Sequence, residues 1–313
     1  MDHLIDITSL SDEDIRQLLD DAEWFSQQSH IPRLLKRKVI VNLFYEPSTR
    51  TRLSFEMAAK RMGAEVINFA AQSSSVVKGE SLIDTFLTVQ AMQPDAIVIR
   101  HSKAGSAALL ASQAKSGLAI INAGDGTNEH PSQALLDGLT IKQHFGRFEG
   151  LRVVIAGDTR HSRVATSTLK LLSRLGVESI RLCGPQQLLP AAGTFPGVEL
   201  SEDLDAALHD ADVIILLRIQ AERINDSSLP AAAQYNQHWG MTIDRLGRLP
   251  RQTVIMHPGP MNRGVEIDSE AAESSRSLIQ RQVRNGVFIR MAVLRRLLCT
   301  DEGNESDWRA ADL

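Results

Sequence analysis

Cysteine is nearly absent: Cys183 and Cys299 are the only two in 313 residues. Two thiols exclude a disulfide framework and any metal site built from several cysteines, so no structural zinc is expected and the composition suits a reducing, cytoplasmic setting. Long apolar runs are missing as well. No window reaches the ~18 apolar residues of a membrane helix, and Met1-Asp2-His3-Leu4-Ile5-Asp6 has no basic segment leading into an apolar one, so neither a membrane anchor nor a leader is expected. Nor is there a surplus of basic charge, since 34 Lys and Arg against 38 Asp and Glu leave a formal net charge of -4. That balance argues against a general nucleic-acid surface and confines any anion site to a local basic pocket. Internal repeats and low-complexity segments are also absent. What remains, 43% hydrophobic and 23% charged residues, describes a globular chain able to bury a large core and to divide in two.

Ser11 opens a predicted helix with Asp12, Glu13 and Asp14 in its first turn and Ile15, Leu18, Leu19, Ala22 and Phe25 on one apolar face. β-rich runs then alternate with helical patterns. Strands are expected at 39–44, 66–69, 96–100 and 119–122, separated by helices near 52–62, 81–92, 104–115 and 131–144. After Gly146 and Gly150 further strands are expected at 151–156, 180–183, 213–217 and 253–256. This alternation predicts an α/β protein of two domains, each a parallel β-sheet flanked by helices, joined by interdomain helices. The division is expected within 130–150, with a second crossing near 285 in front of a long last helix at 283–298.

The most informative stretch is Glu46-Pro47-Ser48-Thr49-Arg50-Thr51-Arg52, which follows one strand and opens a helix. Free N–H groups and the positive end of the helix dipole favour an anion there, and the hydroxyls and guanidinium groups of Ser48, Thr49, Arg50 and Thr51 add donors. A capping hydroxyl followed by solvated arginines would look the same. Ser74 and Lys78 lie in a polar loop whose lysine can reach an anion or simply stay solvated. Arg100-His101 closes a strand, where ligands of open α/β sheets bind, although such arginines also occur as plain surface residues. His130-Pro131-Ser132-Gln133 opens another helix and suits recognition of a planar carbonyl group, or is an ordinary cap. In His257-Pro258-Gly259-Pro260 two prolines fix a turn whose carbonyls can face a ligand, or whose role is structural. Arg163 and Arg218 follow two strands on one side of one sheet and fit a dicarboxylate. No G-x-G-x-x-G follows the strand ending at Ala156, which counts against a dinucleotide site.

Taken together, Ser48-Thr49-Arg50-Thr51-Arg52, Lys78-Gly79-Glu80, Arg100, His130-Pro131-Ser132-Gln133 and His257-Pro258-Gly259-Pro260 resemble, in content and order, the aspartate/ornithine carbamoyltransferase family over nearly the whole chain. Arg218-Ile219-Gln220 with Arg223 is similar to the aspartate branch, and the Ser-Met-Gly stretch and Cys-Leu-Pro turn usual in the ornithine branch are missing. The resemblance implies a carbamoyl-phosphate domain over 1–135 plus 286–313 and an aspartate domain over 136–285. It implies transfer of a carbamoyl group from carbamoyl phosphate to L-aspartate, in pyrimidine synthesis, with no cofactor and no metal. In its terms Ser48, Thr49, Arg50, Thr51, Arg100, His130, Gln133, Gly259 and Pro260 bind carbamoyl phosphate, and Arg50, Thr51, Arg100 and His130 are catalytic. Lys78, Arg163, Arg218 and Gln220 bind aspartate. A homotrimer with shared active sites is implied too, Ser74 and Lys78 coming from the neighbouring subunit. Larger assemblies with regulatory or dihydroorotase-like chains occur in the family, and the Gly259 form of the turn is similar to the latter group. One departure is Val77, where several members carry a second basic residue. The alternatives are a carbamoyltransferase for another amine such as ornithine and a non-catalytic partner subunit.

Overall fold

The computed structural model describes residues 1–70, 80–219, 231–299 and 309; Ser74, Lys78 and Gln220 lie outside them. The chain forms two compact units, one of Met1–Leu139 with the described residues from Arg284 onward, the other of Thr140–Val283.

The first unit opens with α1 (Asp12–Gln27), started by a reciprocal cap in which Ser11 Oγ accepts from Asp14 N at 3.0 Å and Asp14 Oδ2 accepts from Ser11 N at 3.2 Å. Its predicted face, Ile15, Leu18, Leu19, Ala22 and Phe25, is buried. Four strands follow, β1 (Val39–Phe44), β2 (Glu65–Ala70), β3 (Ala96–His101) and β4 (Ala119–Asp125), linked by α2 (Thr49–Arg61), α3 (Leu82–Ala91) and α4 (Ser106–Gln113). They pair in parallel in the order β2-β1-β3-β4. Val41, Leu43, Ile97, Ile99 and Ile120 pack with Phe86, Val89, Ala107 and Leu110 into one buried layer. Burial on both faces is why the central strands read as mostly apolar runs, with the buried Asn42 the one polar residue inside β1.

α5 (Pro131–Phe145) leads into the second sheet: β5 (Arg152–Ala156), α6 (Arg163–Arg174), β6 (Ser179–Cys183), β7 (Glu199–Ser201), α7 (Leu204–Leu208), β8 (Val213–Leu216), α8 (Ala232–Trp239), α9 (Ile243–Arg248) and β9 (Val254–Met256). All pairs are parallel, in the order β7-β6-β5-β8-β9. Val153, Ile155, Val213 and Ile215 belong to one core, and Val154, Ala156, Ile214 and Leu216 to another, as the two-residue period of a strand covered on both sides requires. α10 (Ser269–Ala272) and α11 (Ile279–Leu298) complete the described helices, none of which is long and apolar enough to cross a membrane. α11 starts four residues before the expected 283, and β7 has no counterpart among the predicted strands.

Both sheets reverse their order of growth once. The chain passes from β1 to β2 on one side and then to β3 on the other; in the second sheet β6 and β8 flank β5 in the same way. Ligands of open α/β sheets bind beyond the carboxyl ends of strands at such reversals. At the second reversal Gly157 has φ +125°, and a Cβ there would lie 2.2 Å from the Leu217 carbonyl oxygen, so only glycine lets the ends of β5 and β8 close. Gly157→Ala is expected to cost ~2 kcal/mol or more and to lower the thermal midpoint by roughly 4–8 °C. An unchanged midpoint in a calorimetric scan would show that Leu217 moves aside freely.

Candidate active site

The first cluster forms where β1 and β3 end. Phe44, the last residue of β1, is the register partner of Arg100 on β3. Beyond it the chain turns through Tyr45, Glu46 and Pro47 into α2, whose start is unlike those of its neighbours. Ser11, Ser81 and Ser162 cap α1, α3 and α6 by accepting a backbone N–H, and acids occupy the first turns of α1 and α3. Ser48 stands at the cap position of α2 without a side-chain cap bond, and the first turn holds no acid. Arg50 and Arg52 stand there instead, at the end where the dipole favours an anion. Thr51 is buried, Ser48 half-buried, and Thr49 and Arg50 exposed. The start of α2 is thus rich in donors and positive charge.

Arg100 is held on two sides. Its Nη1 donates to the Ala123 carbonyl of β4 at 3.1 Å, and its Nε lies 3.5 Å from Glu46 Oε2. Tyr45 N also donates to the Arg100 carbonyl at 2.9 Å, fixing the turn to the strand. Beyond β4, His130 is buried and its carbonyl accepts from Gln133 N at 2.9 Å as α5 begins. Gln133 Nε2 donates to Asp137 Oδ1 at 3.0 Å, one turn along the helix.

A buried cation ties these elements together. From α11, Arg290 Nη1 donates to Ser54 Oγ of α2 at 3.0 Å and to the Gly286 carbonyl at 2.9 Å, and Nη2 donates to Ser132 Oγ of α5 at 3.4 Å. The guanidinium carbon stands 4.9 Å from the centre of the Phe55 ring. Burial pushes its pKa down to about 9 while the Asp137 charge opposes the shift, so Arg290 remains a cation at neutral pH. A Cβ on Gly286 would fall 2.6 Å from Arg290 Nη1, so the glycine makes room for the guanidinium.

In the second unit, Arg163 is the buried first residue of α6, whose cap Ser162 accepts from Ala165 N at 3.2 Å. The turn before it is fixed by Asp158 Oδ1, which accepts from His161 N at 3.2 Å and lies 2.9 Å from His161 Nδ1. Arg218 is half-buried, two residues past β8. His257 follows β9 directly, with Pro258 and Gly259 half-buried and Pro260 exposed. Because β5, β8 and β9 are parallel neighbours, Arg163, Arg218 and the His257–Pro260 turn share one end of one sheet. Ser48, Thr49, Arg50, Thr51, Arg100, His130 and Gln133 share the corresponding end of the other. Glu46, Asp137, Arg290 and Glu266 add contacts to which the sequence reading assigns no role.

The two cysteines offer no nucleophile. Burial pushes the Cys183 thiol up to about 12, and Cys299 is half-buried with Sγ 3.8 Å from the Leu34 carbonyl. Among the described residues no group of three or more His, Cys, Asp or Glu is placed to hold a metal. The arginines, hydroxyls and helix N–H groups at the strand ends of each unit offer donors and positive charge, which suit an oxyanion or a carboxylate.

Comparison with known proteins agrees with this chemistry. Residues 2–143 match the family described as "Aspartate/ornithine carbamoyltransferase, carbamoyl-P binding domain", and residues 149–297 match its "Asp/Orn binding domain". The aspartate carbamoyltransferase catalytic subunit of Thermobifida fusca is 52% identical over 303 residues, covering 95% of this chain and 96% of its own. That of Mycobacterium tuberculosis is 49% identical, covering 97% and 98%. Among solved structures, aspartate transcarbamoylase from Trypanosoma cruzi in complex with carbamoyl phosphate aligns with a TM-score of 0.86 at 32% identity, covering 95% and 96%. The catalytic subunit of the M. jannaschii enzyme aligns with a TM-score of 0.81 at 35% identity, covering 97% and 100%. With both of its halves matched and half of its residues shared with such relatives, the chain belongs to the aspartate/ornithine carbamoyltransferase family.

Proposed function

We propose that this chain transfers the carbamoyl group of carbamoyl phosphate to the α-amine of L-aspartate, giving N-carbamoyl-L-aspartate and phosphate, the committed step of pyrimidine synthesis. The observation that carries the reading is the start of α2, which has no acid and no side-chain cap and bears Arg50, with Arg100 braced at the end of β3. The relatives' names supply the acceptor, and Trypanosoma cruzi aspartate transcarbamoylase has been solved with carbamoyl phosphate and aspartate.

In this reading Ser48, Thr49, Arg50 and Thr51 hold the phosphate. Arg100, His130 and Thr51 direct donors at the carbonyl oxygen, and Gln133 with the Gly259-Pro260 turn holds the carbamoyl amide. Arg163 and Arg218, with Lys78 and Gln220, hold the aspartate carboxylates. The neutral amine attacks the carbonyl carbon, the oxygen becomes anionic in a tetrahedral intermediate, and the bond to the phosphate oxygen breaks. The amine proton passes to the departing phosphate, so no separate base is required. Fixed donors aimed at the developing oxyanion supply the largest part of the acceleration, and orientation supplies the rest.

The assembly belongs to the same proposal: a cytoplasmic homotrimer in which Ser74 and Lys78 complete a neighbour's site, open to association with a dihydroorotase-like or regulatory chain. Its test is formation of N-carbamoyl-aspartate by the purified chain, with ornithine as a parallel acceptor and mass from light scattering. Aspartate-specific turnover by a trimer is expected; ornithine preference, or turnover by a monomer, would refute the corresponding part. Arg218→Ala is expected to raise the KM for aspartate by ~10-fold or more and to leave carbamoyl-phosphate saturation nearly unchanged, since one bidentate carboxylate partner is lost. Unchanged aspartate saturation would remove Arg218 from the site.

A further inference from the structure

We infer that His257 and Glu266 form a buried positioning pair that shapes the Pro258-Gly259-Pro260 turn for the carbamoyl group and acts on turnover without touching substrate. The inference rests on the proposed function, which gives that turn its ligand. His257 and Glu266 are 2% and 1% exposed. Gly259 N donates to His257 Nδ1 at 2.8 Å, and His257 Nε2 lies 3.1 Å from Glu266 Oε1. A backbone N–H can only donate, so Nδ1 must accept; a carboxylate accepts, so Nε2 carries the hydrogen. The ring is thereby held in one tautomer and one orientation. It is anchored further where His257 N donates to Gln282 Oε1 at 2.8 Å, and the same Glu266 oxygen accepts from Asn262 N at 2.6 Å, just past the turn.

The consequence lies in what the turn has left to offer. Proline carries no N–H, so the Gly259 amide is the one backbone donor between residues 258 and 260. His257 takes that donor, as the side chain of an Asx turn takes the N–H two residues on. The turn then presents carbonyl acceptors only, which match the NH₂ of a carbamoyl group. If the Gly259 N–H were released, the same turn would present a donor to a donor. Glu266 acts through His257: without it the ring loses the partner that selects its tautomer, and Nδ1 is no longer held as an acceptor.

Four variants of the full-length assembled enzyme test this, with kcat and KM for each substrate, the Kd for inorganic phosphate and the thermal midpoint measured together. His257→Leu is expected to lower kcat/KM for carbamoyl phosphate by ~30-fold or more, while the phosphate Kd stays within about twofold, because the turn meets the carbamoyl end and not the phosphate. His257→Asn offers Oδ1 to the same N–H and is expected to keep kcat within ~5-fold. Glu266→Gln, still an acceptor for Nε2–H, is expected to stay within ~3-fold, whereas Glu266→Leu falls by ~10-fold or more. Should His257→Leu fail to fold, the Gln and Leu variants at 266 decide the matter. Equal losses in His257→Asn and His257→Leu, losses that follow the thermal midpoint alone, or a phosphate affinity that falls in step with turnover would overturn the role. An active wild type with indifferent variants refutes this pair alone; a wild type that forms no N-carbamoyl-aspartate refutes the proposed function and this role with it.

Discussion

Replacing Arg50 by alanine is expected to reduce turnover by about 10²-fold or more, the size of effect seen when one charged or hydrogen-bonding stabiliser of a developing anion is removed. The argument begins with the helix. A cation in the first turn of α2 opposes the dipole, and that turn contains no acid and no side-chain cap bond from Ser48. Such an arrangement suits a bound phosphate, on which helix N–H groups and guanidinium act together. The charge on the phosphate grows as the carbamoyl bond breaks, so the contact is stronger in the transition state than in the ground state, and kcat suffers along with KM. Arg50→Lys is expected to recover only part of the loss, because an ammonium is a single point charge and not a fork. Arg50 is exposed, so its removal should leave the thermal midpoint of the unliganded enzyme within a few degrees of the wild type. Inorganic phosphate should raise that midpoint in the wild type and much less in the variant, which separates loss of the anion site from loss of fold. Near-normal kinetics, or an undiminished phosphate shift, would place Arg50 outside the site.

What is legible in the sequence, and what is not, follows from the range of the forces involved. The central strands β1, β3, β5 and β8 are covered on both faces, so each appears as a short, mostly apolar run. β7 is a three-residue edge strand, exposed or half-buried throughout, and leaves no periodic trace. Residues such as Arg50, Arg100 and Arg163 stand out because a polar group at the end of an apolar strand, or in the first turn of the helix that follows one, is visible locally. Their supports are less visible because they act across the chain: Arg290 meets Ser132 and Ser54 at separations of 158 and 236 residues. A usable signal does exist there, a lone arginine among the buried Ile289, Met291, Ala292 and Val293 of α11, with Gly286 one turn before it. Glu46 lies inside the most informative run, yet its contact with Arg100 depends on the β1–β3 register, which no local pattern specifies.

Arg290→Met should be the most damaging of the substitutions away from substrate. The methionine nearly fills the volume but leaves Ser54 Oγ and Ser132 Oγ without the donor they share, and removes a positive charge that interacts with the fully buried Asp137. Losing two buried hydrogen bonds from a charged donor, at about 1.5–3 kcal/mol each, together with the charge interaction, puts the cost at roughly 3–5 kcal/mol. At the lower end of that range the midpoint should fall by roughly 6–12 °C. Turnover should fall as well, even well below the midpoint, because Arg290 connects α2, which presents Ser48 to Thr51, with α5, which His130 and Gln133 open. A second substitution separates the two effects. Asp137→Asn removes the carboxylate charge that Arg290 acted on but keeps an oxygen for Gln133 Nε2, so the double variant should regain ~1 kcal/mol or more in a non-additive manner. It cannot restore the link between the two helices. Stability should therefore return in part while kcat stays low, whereas a kcat that recovers together with the midpoint would show that Arg290 supports the fold and nothing more specific.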